Sequence, residues 1–168
     1  VIGLLLCKKT KLKEIIGVEI QEDVAEMAER SIKLNDLEDK FKICNVNINE
    51  IFENNILPKN QYDVVVMNPP YKEMGTGKTN EDKKKLISRH EVKATLSDFI
   101  KTAAGLLKDK GELYLVHKPE RIVDIMCKMR ENKIEPKEIQ IVYPYKDSEA
   151  SIILIRGTKG GKKFLKID

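Results

Sequence analysis

Cysteine and histidine are scarce in this chain, and their pattern excludes several chemistries. Cys7, Cys44 and Cys127 are the three cysteines among 168 residues. They are odd in number, widely spaced and form no CxxC, which argues against a zinc site and for reduced thiols in a cytoplasm. All three read as buried structural residues. His90 and His117 are the two histidines, and neither stands at a recognisable spacing from a serine or cysteine, so a hydrolytic triad is not expected. No apolar run is long enough to span a bilayer as a helix, and no membrane partner is expected. The first residues, Val1–Cys7, are short and are followed by lysines rather than preceded by them, unlike a secretory leader. No Pro- or Ser-rich linker and no internal repeat appears, so residues 1–168 read as one domain. The chain also opens without the strand and glycine-rich turn with which a doubly wound fold usually begins.

What is present suits one globular core. Hydrophobic residues make up 41% and charged residues 35%, with a net charge of +4 and a preference for lysine over arginine. That excess is compatible with a polyanionic partner without requiring one.

Along the chain, helical and strand patterns alternate. Val1–Cys7 reads as the first turns of an apolar helix. Residues 14–20 read as a strand ending near Glu19, and residues 21–37 as a helix with Val24, Met27, Ala28, Ile32 and Leu34 along one stripe. Residues 41–46 form a short strand, and residues 47–52 one or two helical turns. Tyr62–Met67 is an apolar, β-branched run of the kind found in buried parallel strands. Residues 72–85 carry no apolar period and read as a mobile basic flap. A helix is expected within 86–107, closed by Asp109-Lys110-Gly111, then a strand over 112–118 and a helix opened by Pro119. Two closing strands, 139–145 and 150–155, flank a short polar turn. The expectation is α/β, mostly parallel, with an antiparallel final strand.

The motif that carries chemistry is Asn68-Pro69-Pro70-Tyr71, directly after the apolar strand. Two prolines end a strand, since neither donates a backbone N–H and both fix φ. An amide and an aromatic ring are thereby held at the carboxyl end of a strand, where open α/β sheets bind ligands. A planar amino group is a poor nucleophile because its lone pair is delocalised. The side-chain oxygen of Asn68 and the main-chain oxygen of Pro69 can accept its two hydrogens, favour a pyramidal nitrogen and aim its lone pair at an electrophile. Tyr71 offers a stacking face worth about 1–3 kcal/mol for a base. In-line positioning against a sulfonium methyl would supply the catalysis. The bland alternative is a strand-ending proline turn with an exposed tyrosine.

Other candidates carry weaker patterns. Glu19 at a strand end is either a ribose-binding acid or a solvated carboxylate. Asn47 either bonds the adenine of a nucleotide cofactor or caps a turn, and Asn45 competes for both roles. Gly77-Lys78-Thr79 does not make a phosphate loop, because the first glycine of GxxxxGK[ST] would fall at Lys72. Lys83, Lys84, Lys85, Arg89, His90 and Lys93 either hold phosphates or form a solvated helix face.

Taken together, the chain resembles the class I S-adenosylmethionine-dependent methyltransferases. Within them it is similar to the family of tRNA (adenine-N6)-methyltransferases that act on valine tRNA. The residues that carry the likeness are Val1–Leu6, Gly17-Val18-Glu19, Asn68-Pro69-Pro70-Tyr71, Arg89-His90-Glu91, Lys118-Pro119-Glu120-Arg121, Val142-Tyr143-Pro144 and Ser151–Ile155. The resemblance implies a Rossmann-like methyltransferase sheet and S-adenosylmethionine as cofactor, held by Glu19, Ile20, Asn47, Ile48 and Asn68. It implies catalysis by Asn68, Pro69, Pro70 and Tyr71, and substrate contacts from Tyr71, Lys72, Lys78, Arg89 and His90. RNA, a tRNA in particular, is the implied partner, with no metal. The NPPY motif is shared with DNA adenine methyltransferases and with release-factor glutamine methyltransferases, so glutamine methylation is one alternative. A non-catalytic RNA-binding module is another. The family's glycine-rich first motif would precede Val1. The sequence is therefore expected to be amino-terminally incomplete and, as written, to bind the cofactor weakly. Asn47 stands where the family commonly has an acid.

Overall fold

A computed structural model describes residues 1–71 and 94–168. The expectations for Lys72, Lys78, Lys83, Lys84, Lys85, Arg89, His90 and Lys93, and for a helix beginning before residue 94, lie outside the described residues. The chain divides into two compact units, Val1–Ile56 and Leu57–Asp168.

In the first unit, helix α1 (Ile2–Lys9) precedes strand β1 (Ile15–Glu19), helix α2 (Glu22–Lys33) and strand β2 (Phe41–Asn45). β1 and β2 run parallel, with Ile15 opposite Phe41 and Glu19 opposite Asn45. α2 is the crossover that a parallel pair needs. It turns Ala25 and Ile32 inward and leaves its charged residues to solvent. A Cβ added at Gly3 would collide with the Phe41 ring, and one at Gly17 would come 2.8 Å from Ile43 Cδ1 and 3.2 Å from the Phe41 ring.

In the second unit, strand β3 (Tyr62–Met67) leads through Asn68-Pro69-Pro70 to Tyr71. Helix α3 (Leu96–Leu106) then feeds strand β4 (Leu107–His117), and a 3-10 turn (Pro119–Arg121) opens helix α4 (Ile122–Glu131). Strands β5 (Ile134–Val142), β6 (Ile152–Lys159) and β7 (Lys166–Ile167) close the chain. The sheet order is β3-β4-β6-β5-β7. β3 pairs β4 in parallel and β7 pairs β5 in parallel, whereas β6 runs antiparallel to both β4 and β5. The antiparallel member is thus β6, joined to β5 by the polar turn read from the sequence. Leu113, Leu115, Ile139, Ile153 and Ile155 of the sheet bury against Ile100, Ala103, Ile125 and Met129 of the helices.

Both ends of α3 are tied down. Thr95 Oγ1 accepts from the Asp98 N–H at 3.3 Å, and the Asp98 carboxylate accepts from the Thr95 N–H at 2.8 Å, a reciprocal cap. That backbone N–H holds the Asp98 carboxyl below its ordinary value. At the other end, carbonyls that a helix terminus leaves without partners meet Lys159, whose Nζ donates to Ala104 O at 2.6 Å and Leu107 O at 2.8 Å. The N–H groups of Asn60 and Gln61 bond Gly105 O and Leu106 O at 2.9 and 3.0 Å. The end of α3 therefore fixes where β3 begins, and so where its carboxyl end points.

Several expectations change. β3 is less buried than its composition suggests: Val64 and Val66 are 41% and 38% exposed, while Met67 faces the core. Among the described residues β3 pairs with β4 alone. Asp109-Lys110-Gly111 does not separate a helix from a later strand. β4 starts at Leu107, and these residues bulge out between the Tyr62–Leu107 and Val64–Glu112 pairings, with Lys110 at φ 63°. β5 starts five residues before the expected Ile139, because Pro136 is accommodated at a register shift opposite Gly157. β7 had no readable pattern. Cys127 is exposed rather than buried, on the outer side of α4. Among the described residues no helix is long and apolar enough to cross a membrane.

Candidate active site

Each unit brings a group of the expected site residues to the carboxyl ends of its parallel strands. In the first unit, Glu19 closes β1. Its main-chain oxygen accepts from the Val46 N–H at 3.1 Å and from Asn45 Nδ2 at 2.9 Å, which clamps the ends of β1 and β2 together. Its carboxylate Oε1 accepts the Gln21 N–H at 3.0 Å, at the residue that caps α2. One carboxylate oxygen is thereby fixed, and the group keeps further lone pairs for donors such as sugar hydroxyls. Ile20 follows Glu19 and is partly buried.

Asn47 is the cap of the 3-10 turn Ile48–Glu50, and its Oδ1 accepts the Asn49 N–H at 3.1 Å. The capping alternative therefore describes its resting state. An amide oxygen has a second lone pair, so capping does not remove it as an acceptor for an exocyclic amine. Asn45 takes the structural role of clamp. A carboxylate and an amide at the ends of adjacent parallel strands, with Ile48 beside them, are a donor and acceptor set that suits an adenosine.

In the second unit, Asn68 is exposed, Pro69 buried, Pro70 exposed and Tyr71 half-buried, directly past the carboxyl end of β3. β4 runs alongside, with Met67 opposite Leu115. Two residues further, at the end of β4, is His117, opposite Ile153 of β6. The Tyr71 and His117 rings meet in a T-shape, centroids 5.2 Å apart and planes at 69°. Lys118 Nζ lies 5.9 Å from the Tyr71 centroid, within cation–π range, and donates to Ser151 O at 3.3 Å.

His117 has no counterpart among the residues expected to form the site. It is 1% exposed, and neither ring nitrogen has a hydrogen-bond partner among the described residues. Burial pushes its imidazole below the ordinary histidine value; the Lys118 backbone, near enough to favour the charged ring but outside hydrogen-bond geometry, opposes this, the Arg121 charge adds to it, and Glu120 opposes it. The sequence hid the residue because His117 continues the buried alternation Leu113, Leu115 along β4, where a histidine reads as one more core position. Among the described residues, no cluster of three or more His, Cys, Asp or Glu side chains is placed to hold a metal ion.

Comparisons with known proteins agree with this architecture. A relative from Porphyromonas gingivalis named tRNA1(Val) (adenine(37)-N6)-methyltransferase is 25% identical over 124 residues, 74% of this chain and 48% of the relative. The chain thus spans about half the length of the curated relatives it matches. Among solved structures, a protein described as a predicted O-methyltransferase from Agrobacterium tumefaciens superposes with a TM-score of 0.73 at 20% identity, covering 99% of this chain and 71% of that one. Geranyl diphosphate C-methyltransferase from Streptomyces coelicolor, solved with S-adenosyl-L-homocysteine, gives 0.64 at 11% identity, over 94% and 67% of the two chains. These likenesses fix the fold as the Rossmann-like methyltransferase type. The profile of the family described as Eco57I restriction-modification methylase matches residues 13–150, most of the chain and all of the motif-bearing strands from β1 to β5. With its strand ends so arranged and its sequence so matched, the chain belongs to the Eco57I restriction-modification methylase family.

Proposed function

We propose that this protein transfers a methyl group from S-adenosylmethionine to the exocyclic N6 amine of an adenine in RNA, a tRNA in particular. The observation that carries the reading is Asn68-Pro69-Pro70-Tyr71 directly past the carboxyl end of a parallel strand, with a stacking ring next to an amide acceptor. The name of the Porphyromonas relative supports adenine N6 and tRNA over other planar amines. The reading treats residues 1–168 as a single methyltransferase domain working in the cytoplasm.

In this reading Glu19 accepts the ribose hydroxyls and Asn47 the adenine amine of the cofactor, with Ile20 and Ile48 packing beside its base. Bound S-adenosylmethionine supplies an electrophilic methyl on a sulfonium sulfur. Asn68 Oδ1 and the Pro69 carbonyl accept the two hydrogens of the substrate amine and turn its lone pair toward that methyl. Tyr71 stacks on the adenine, which has to leave its own stack to reach the site. As the N–C bond forms the C–S bond breaks, and the alkylated amine becomes acidic enough to lose its proton without a strong base. Lys72, Lys78, Arg89 and His90 contribute substrate contacts.

The family name favours a second reading, adenine methylation in DNA. Glutamine methylation of a protein remains a third. The substitutions Lys83→Glu, Lys84→Glu and Lys85→Glu, made together, separate a polyanionic substrate from a peptide. The expected result is a loss of tRNA affinity of about tenfold or more at physiological salt with a shallower salt dependence. Unchanged tRNA binding, or label from the cofactor appearing in protein alone, contradicts the RNA reading.

A further inference from the structure

We propose that His117 is a positioning residue: its buried imidazole holds the Tyr71 ring in the orientation in which the planar, amine-bearing part of the substrate stacks. The inference rests on the reading of Tyr71 as the stacking platform. Three observations support it. The two rings are in direct T-shaped contact, 5.2 Å between centroids. An imidazole here, buried at 1% exposure with both nitrogens lacking partners among the described residues, is a poor choice for packing alone. Leucine or isoleucine would fill the same position without unmet polar atoms, as at Leu113 and Leu115 on the same face of β4.

What the imidazole has and leucine lacks is a flat ring with a positively polarised edge, the shape and charge that pair with an aromatic neighbour. The β4 end is also rigidly held, through the His117–Ile153 and Val116–Leu154 pairings and the Lys118 contact to Ser151. Tyr71 is on a connecting segment with two prolines before it. A ring on such a segment needs a neighbour from a fixed element to set its plane, and His117 with Lys118 supplies it.

Among the described residues, the titratable and charged groups near His117 are Tyr71 after β3, and Lys118, Glu120 and Arg121 after β4; Ile153 of β6 is apolar. Above the ordinary histidine value of 6.5 the imidazole is neutral in both folded and unfolded chains, so it adds no pH dependence there. Below it, the unfolded chain takes up a proton that the folded chain resists. Stability is therefore lost as pH falls from 6.5 toward the depressed folded value.

The test compares wild type, His117→Leu, His117→Phe, Tyr71→Ala and the His117→Leu/Tyr71→Ala double variant. It measures steady-state methyl transfer to tRNA and thermal stability from pH 5 to 8. His117→Leu is expected to be at least as stable as wild type near pH 7, and to lack the loss of stability below 6.5. Its KM for tRNA is nevertheless expected to rise about fivefold, the worth of an aromatic pair, with the KM for S-adenosylmethionine unchanged. His117→Phe keeps a ring and is expected to stay within about twofold of wild type. On the Tyr71→Ala background the leucine substitution should add nothing, because its effect passes through the missing ring. Additive effects, a KM for tRNA unchanged in His117→Leu, or equal rises in both KM values would overturn the inference. Absence of methyl transfer by wild type to tRNA would instead sink the functional reading, and is told apart by that control. In that event the stability profiles of His117→Leu and His117→Phe, with the Tyr71 ring NMR shifts of each, still decide whether His117 holds Tyr71. Tyr71 shifts that are the same in wild type and His117→Leu contradict it.

Discussion

Asn68→Ala is expected to lower kcat for methyl transfer by at least about a hundredfold, the scale seen when one fixed hydrogen-bonding group is removed from a reaction centre. tRNA affinity and the melting temperature should stay at their wild-type values. The separation follows from where the residue sits. Asn68 is exposed, immediately past Met67, whose side chain is the last of β3 to enter the core. Truncation there opens no cavity and breaks no strand pairing. What is lost is the acceptor that turns the amine lone pair out of its conjugated plane, an effect felt only as the amine begins to react. Asn68→Asp keeps an acceptor oxygen and should lose less. Steady-state kinetics with tRNA, together with filter binding, checks both parts. A fall in binding as large as the fall in kcat would mean that Asn68 holds substrate and does not activate it.

Gly157→Val should destabilise the fold by about 3 kcal/mol, at the upper end for overpacking a core. For a chain of this length that corresponds to a fall of about 6–12 °C in Tm. A Cβ at Gly157 would come 2.8 Å from Ile134 Cγ2 and 3.2 Å from the Glu135 carbonyl oxygen, and would collide with the Met129 methyl. The Met129 methyl ends a flexible side chain and can move. Ile134 and the Glu135 backbone cannot, because Ile134 is fully buried and β5 is paired to β6 on both sides of this point. Gly157 also pairs with Leu113 of β4, so the distortion reaches the strand that ends in His117. Thermal unfolding followed by circular dichroism gives the answer. A midpoint within about one degree of wild type would mean that the close approach relaxes without cost.

Much of this molecule can be read from its residues, for reasons that differ by element. β3 and its Pro-Pro stop are legible because two prolines after a β-branched run leave one local solution. The hairpin of β5 and β6 is legible because its polar turn interrupts two apolar runs. The start of β5 is not. Pro136 and its charged neighbours argue against a strand, and only a register shift opposite a glycine makes room for them. At the candidate site, Asn68 and Tyr71 stand out in the sequence because their residue types and spacing suit methylation of a planar amine. Glu19 and Asn47 are half legible. Their positions at strand ends are foreseen, whereas the Asn45 clamp on the Glu19 carbonyl appears only once β1 and β2 are paired. His117 cannot be found in sequence at all, because what distinguishes it is a ring 46 positions earlier, on the neighbouring strand's exit.

The central claim is that Asn68-Pro69-Pro70-Tyr71 directs a methyl group onto an adenine amine of RNA. Its most direct test is mass spectrometry of nucleosides from tRNA incubated with the protein and isotopically labelled S-adenosylmethionine, with duplex DNA and total protein in parallel reactions. The account predicts label in N6-methyladenosine from tRNA, absent with Asn68→Ala. Label confined to DNA adenine or to protein glutamine, or a tRNA signal that survives Asn68→Ala, would contradict it.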